Sequence, residues 1–146
     1  MKTLISIIAA LTLIFCLASP ALASTVEVSG YIDYSAPVPY VTQSLTLTSA
    51  KPGESSRSSD PLYVQNADTK LHIHSCTWLP QDQKAIVGFY NCDTGTVYGI
   101  TFENGSVPDS FTMTSKNLPD GEYLITFMNS SSSTKSISGT LNYWVE

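Results

Sequence analysis

Charge is scarce in this chain, and positive charge is scarcer still. Of its 146 residues, 13% are Asp, Glu, Lys or Arg, with seven basic residues against twelve acidic ones. Such a surface repels a phosphate backbone rather than gripping it, so nucleic acid is not an expected partner. Arg57 is the only arginine, which leaves no clamp for an anionic substrate. Histidine is limited to His72 and His74, and serine, though abundant, never stands in a Gly-x-Ser-x-Gly setting. No nucleophile and base can therefore be nominated for acyl transfer, no cofactor is called for, and the expectation is a protein that is not an enzyme. No stretch holds a helical period for three turns. After the first two dozen residues, no apolar run approaches the roughly 18 residues that a membrane span needs.

What is present first is an export signal. Lys2 is the only charge before the nearly unbroken apolar run from Leu4 to Leu17, and Ser19, Pro20 and Ala21-Leu22-Ala23 follow. A charged start, an apolar helix and a small-x-small site in that order predict a signal peptide over residues 1–23, cut after Ala23. Cys16 does not convert it into a lipoprotein signal, because the bulky Phe15 precedes it where a small residue is wanted. The mature chain is then residues 24–146, long enough for one domain with a core of its own. Removing Lys2 leaves six basic and twelve acidic residues, a net charge of 6 − 12 = −6. This product is expected to be secreted, extracellular or cell-surface associated, and free of the membrane once the signal is removed.

Along the mature chain, β-branched and aromatic residues alternate with polar ones between turn signals. That pattern predicts an all-β, antiparallel β-sandwich, jelly-roll or Ig-like, of about nine strands following the signal helix. The strands expected are 26–34, 43–49, 62–65, 70–79, 84–92, 96–103, 110–115, 122–128 and 136–145. In the fourth, Leu71 and Ile73 share one face while His72, His74, Cys76 and Trp78 share the other. In the eighth, Tyr123, Ile125 and Phe127 point inward and Thr126 points to the milder, outer side. Residues 49–61 hold two prolines, a glycine and five serines, and read as a surface loop.

A set of spaced residues carries a resemblance over residues 70–145. Leu71-x-Ile73 leads to Trp78, Ile86-x-Gly88-x-Tyr90-Asn91 leads to Thr94-Gly95, and Phe111-x-Met113 and Leu118-Pro119-x-Gly121-x-Tyr123-x-Ile125 precede Ser138-Gly139-x-Leu141-x-Tyr143. This resembles the prepeptidase C-terminal-type domains, secreted β-sandwiches appended to bacterial peptidases. The resemblance implies a sandwich fold and a role in substrate or surface binding rather than in catalysis.

Three motifs invite a chemical reading. Asp93-Thr94-Gly95 is the tripeptide of aspartic proteases, whose chemistry needs two such carboxylates sharing a proton. Between two strands, Asp and Gly are equally the residues of a hairpin turn, and that explanation suffices. His72, His74 and Cys76 alternate on one strand and would point the same way, but nothing near them supplies a third or fourth ligand, so no metal site is expected. Cys76 and Cys92 are the two mature cysteines, and an even count in an exported chain favours a disulfide, worth about 3 kcal/mol by loop closure. In a tight hairpin centred near Gln81 and Asp82, Cys92 would lie about 13 Å along the strand from the partner of Cys76, beyond the roughly 7 Å that a disulfide spans between Cα atoms. The bond therefore requires strands 70–79 and 84–92 to lie in different sheets.

Aromatic rings carry the positive hint of function. Ile137, Leu141, Tyr143 and Val145 share one face of the last strand, leaving Trp144 on the other, and Tyr31 is likewise out of phase with Val26, Val28 and Ile32. If the first and last strands pair, Tyr31 and Trp144 share an outer face and offer flat surfaces on which a sugar ring stacks. The expected function is a secreted, non-enzymatic binding module for an extracellular polysaccharide or protein. The alternative is a secreted effector, such as an antimicrobial, a toxin or an enzyme inhibitor, that presents the serine-rich loop.

Overall fold

A computed structural model describes residues 24–65 and 68–146; the expected signal peptide and its helix, residues 1–23, lie outside them. The described residues contain no helix and eleven strands. These are β1 (Thr25–Glu27), β2 (Gly30–Ile32), β3 (Gln43–Ala50), β4 (Ser55–Arg57), β5 (Leu62–Val64) and β6 (Lys70–Leu79), followed by β7 (Ala85–Asn91), β8 (Val97–Phe102), β9 (Phe111–Thr114), β10 (Gly121–Asn129) and β11 (Ile137–Val145). They form two sheets. Sheet A runs β1-β8-β7-β10-β4, with β5 also on β10, and sheet B runs β2-β9-β6-β11-β3. All pairs are antiparallel except β1 with β8. The inward side chains of both sheets, among them Leu45, Ile73, Trp78, Phe89, Ile125, Phe127 and Leu141, meet in one core, which is the sandwich that the alternation implies.

The first expected strand is two. It leaves sheet A after Glu27 and enters sheet B at Gly30, so that Val28 and Ser29 bridge the sheets. The serine-rich stretch is not simply a loop either. Ser55–Arg57 pairs with Met128, Phe127 and Thr126 as an edge strand; a run of small polar residues has no strand signature, and it is β10 that supplies the ladder. The β7–β8 hairpin does form as the sequence suggests. The Asn91 side-chain oxygen accepts the amides of Asp93 and Thr94 at 2.9 Å each, and Gly95 takes φ +72°. Asp93-Thr94-Gly95 is thus a capped turn.

Strand β6 corrects the expected facing of its side chains. Its register on β11 slips between Asn142 and Tyr143, which stand opposite Ser75 and Ile73, so His74 is the extra residue of a bulge. Before the bulge Leu71 and Ile73 point into the core, and after it Cys76 and Trp78 do. His72 stays on the outer face, and its row with Cys76 and Trp78 does not exist. As the disulfide argument required, β6 and β7 lie in different sheets, yet the disulfide itself is absent and both cysteines are free. Parity explains why. Cys76 points into the core from sheet B, whereas Cys92 follows the outward row Ile86, Gly88 and Tyr90 of sheet A and is exposed. Burial pushes the Cys76 thiol up to about 12, as befits an inert core residue.

Strand β10 is central, and both its faces are covered. Ile125 is inward as expected, at 1% exposure, but Thr126 on the opposite face is fully buried too. Thr126 stands between Gly88 on β7 and Arg57 on β4, and the Arg57 guanidinium lies 3.6 Å above the Tyr90 ring, across this face. The outer face of sheet A carries its own small apolar cluster of Ile86, Val97 and Met128, against which Tyr90 packs. At the start of β10 the Tyr123 hydroxyl donates to the Pro119 carbonyl four residues upstream, at 2.7 Å. That tie fixes the chain's entry into the strand, as the tyrosine corner does in Greek-key sandwiches.

Candidate functional site

The two sides of the sandwich are unlike. On one side the edge strands are β1 and β2, and because they are a single stretch of chain crossing at Val28–Ser29, that side is bridged. On the other side the edges are β3 of sheet B and β4 of sheet A, and the chain bridges them only at one end, through the turn 51–54. That turn is firmly held. Asn129, fully buried, accepts the Gly53 amide on its carbonyl at 2.8 Å and donates its side-chain amide to the Ala50 carbonyl at 2.8 Å. Away from the turn the edges diverge and leave a groove.

Three cavities of about 630, 460 and 310 Å³ follow one another along it. The first two share Thr46, Ser56 and Arg57, and the last two share Gln43, Ser58 and Asp60. Hydroxyl-bearing side chains, among them Ser44, Thr46, Thr48, Ser55 and Ser56, recur along the first two cavities, while the third is walled mainly by apolar side chains. The only cation in them, Arg57, has its guanidinium turned onto Tyr90. At the open end the groove reaches Trp144, with Pro39, Val41 and Leu62 around it. Tyr143 lies beneath, fully enclosed; burial raises its phenol, a hydrogen bond from Ser58 opposes that, and the Asp60 carboxylate adds to the rise. Ser58 accepts the Ile125 amide at 2.9 Å, so this corner is anchored to the central strand.

The predicted aromatic pair is placed differently from the expectation. The first and last strands do not pair: β2 lies on β9, and β11 lies between β6 and β3. Tyr31 and Trp144 nevertheless occupy one register row on the outer face of sheet B, in the order Tyr31, Thr112, His72, Trp144. Three strand steps separate them, about 14 Å. The middle of the row is closed to solvent, with Thr112 at 1% and His72 at 2% exposure, while Tyr31 is 44% exposed. The two rings therefore do not make a shared open platform.

His72, which the sequence offers only as half of an incomplete metal site, instead fixes Trp144. The two rings stack at 4.8 Å with an interplanar angle of 16°. Nε2 of His72 lies 3.0 Å from a Glu146 carboxylate oxygen and Nδ1 lies 2.9 Å from the Thr112 hydroxyl. A carboxylate only accepts, so Nε2 donates, and the hydroxyl serves Nδ1 in either role. With both nitrogens engaged, the imidazole is a fixed plate behind the indole. Sequence reasoning put His72 on the outer face but missed its tie to Trp144, because that contact needs β6 and β11 to be neighbours with His72 opposite Trp144, which no local residue pattern reports. It missed Asp60 and Gln43 because one sat in the presumed loop and the other at a strand's polar start.

Among the described residues, no group of three or more His, Cys, Asp or Glu comes together as a metal site, and there is no helix long and apolar enough to cross a membrane. Compared with known proteins, the chain matches no family model, no curated protein and no solved structure.

Proposed function

We propose that this protein is a secreted, non-enzymatic jelly roll that binds an extended ligand outside the cell or at its surface, polysaccharide or protein, along the groove between β3 and β4. The jelly-roll reading is supported by nested pairing. β3 pairs with β11, β4 and β5 with β10, β6 with β9, and β7 with β8, as in one long ribbon folded at the β7–β8 hairpin and rolled so that β6 also meets β11 and β7 meets β10. Secretion rests on the signal pattern of residues 1–23. The resemblance of residues 70–145 to prepeptidase C-terminal-type domains agrees with binding rather than catalysis.

The observation that carries the proposal is the groove itself. It is continuous, concave and mostly polar, and it ends at a half-buried tryptophan held in a fixed orientation. Concavity with a few placed polar groups and an aromatic wall is the common form of a recognition site. The test is co-sedimentation of residues 24–146 with insoluble cell-wall and polysaccharide preparations and with immobilised extracellular proteins. Saturable retention on one of them is expected, and passage through all of them would refute the proposal.

A further inference from the structure

The 310 Å³ cavity at the groove's open end has a composition more specific than the rest. We propose that it is a subsite for a ring of a neutral polysaccharide, with Trp144 as the stacking surface and Asp60 and Gln43 as the groups that take hydroxyls; this rests on the binding role just proposed and names its ligand. The cavity is at the small end of the roughly 300–1,000 Å³ of small-molecule sites, a volume suited to a single ring rather than to a folded segment.

The indole supplies the apolar half of the recognition. A pyranose presents C–H bonds on its faces and hydroxyls around its rim. Its weakly positive C–H hydrogens suit the electron-rich face of an aromatic ring. Stacking on a mobile tryptophan costs the entropy of ordering it, and here that cost is already met, because His72 holds the indole at 4.8 Å and is itself held by Thr112 and Glu146. Pro39 and Val41 add apolar wall to the same cavity.

Asp60 and Gln43 supply the polar half. Both line the cavity, and among the described residues neither the Asp60 carboxylate nor the Gln43 amide has a hydrogen-bond or ion-pair partner within the protein. A carboxylate accepts from two neighbouring hydroxyls, and an amide both donates and accepts, so the two match the mixed donors and acceptors of a sugar rim. No lysine or arginine lines this cavity. A uronate or sulfated sugar would meet the Asp60 charge with no compensating cation, which selects a neutral ring. Beyond the subsite, the hydroxyl-lined groove provides the path for the rest of the polymer.

The test uses residues 24–146 titrated with a soluble neutral glucan, a mannan and a xylan, and with polygalacturonate as the anionic comparison, by calorimetry and by tryptophan fluorescence. A neutral glycan is expected to bind with a change in indole emission, and polygalacturonate is not. Trp144→Ala should weaken that binding at least tenfold and Asp60→Asn several-fold, while Tyr31→Ala leaves it unchanged. Trp144→Tyr, which keeps a ring on His72, should recover part of the affinity and separates stacking from loss of fold. Glycan binding indifferent to Trp144→Ala and Asp60→Asn would overturn the subsite while leaving a binding protein. So would retention on extracellular protein with no glycan bound. Binding to nothing in either assay would overturn both readings.

Discussion

Replacing Thr126 by Val should make this protein more stable, although Thr126 sits in the middle of its best-packed strand. Its side chain has no solvent exposure, and its hydroxyl has no hydrogen-bond partner. An unsatisfied buried hydroxyl costs about 1–3 kcal/mol. Val is also β-branched, suits the strand at least as well, and puts a methyl where the hydroxyl was. The net gain should be about 1–2 kcal/mol. For a domain of this size about 1 kcal/mol moves the midpoint by roughly 4 °C, so thermal unfolding followed by circular dichroism should shift upward by about 4–8 °C, with a matching rise in the urea midpoint at constant m-value. Thr126→Ser keeps the hydroxyl and loses the methyl, and should cost about 1 kcal/mol. A Val variant no more stable than the parent would show that the hydroxyl is satisfied after all, and that the outer face of sheet A is wetter than the packing around Thr126 describes.

Other outcomes follow from the same packing. Ile125→Asp puts a carboxylate into the core at several kcal/mol against a total of about 5–15, and Thr126→Asp should be nearly as damaging because its face is covered too; loss of near-ultraviolet circular dichroism in both would confirm it, and a mild Thr126→Asp would refute it. Gly88→Ala should abolish soluble expression, since a Cβ there would lie 2.2 Å from the Tyr98 carbonyl oxygen and 2.4 Å from the Gly99 Cα, backbone atoms that cannot yield as side chains do. Thiol titration at pH 8 should count one reactive cysteine in the folded chain, the exposed Cys92, and two after unfolding, and dithiothreitol should leave the melting temperature unchanged. Both thiols have raised values, Cys92 through desolvation and the charges of Glu122 and Asp93, so its labelling rate should climb as pH rises toward 9.

Period-two alternation made the sandwich legible, because inward residues must be apolar along every strand that has one wet face. It worked best where the pattern is local and unbroken, as in the β7–β8 hairpin and β11. It failed where position in the sheet overrides side-chain chemistry. Ser55–Arg57 has nothing to recommend it as a strand except a neighbour with free hydrogen-bonding groups, and Thr126 looks like an outward residue until Arg57 and Tyr90 are laid over it. One inserted residue at His74 reversed the facing of the second half of β6 and with it the readings of Cys76 and Trp78. At the site, Trp144 could be picked out as a ring out of phase with its neighbours. Asp60 and Gln43 could not, because what makes them candidates is that the consecutive strands β3 and β4 part into different sheets and leave a groove between them, which no local residue pattern reports.

An open seam flanked by two unpaired strand edges is an invitation to aggregation, and the way this one is blunted bears on what it can hold. β4 is only three residues long, too short to template a partner strand. β3 has eight, with no charge or proline among them, but its register on β11 slips beside Thr48 and Ser49, where Ser49 takes φ +47° and its amide turns to the Ser138 hydroxyl at 2.8 Å. The regular edge is thereby cut to Gln43–Leu47. An added strand gains by running a full ladder and would find about five residues of it, ending against the turn at 51–54. A chain of sugar rings needs no ladder. It needs a stacking face at one end and hydroxyl partners along the walls, and the groove supplies these in the order Trp144, Asp60 and Gln43, then Ser58, Ser56 and Thr46. If this is right, β3 variants that restore a straight edge, such as Ser49→Val, should raise self-association in analytical ultracentrifugation without improving glycan affinity, and tighter glycan binding by the straightened edge would mean that the ligand pairs with backbone after all.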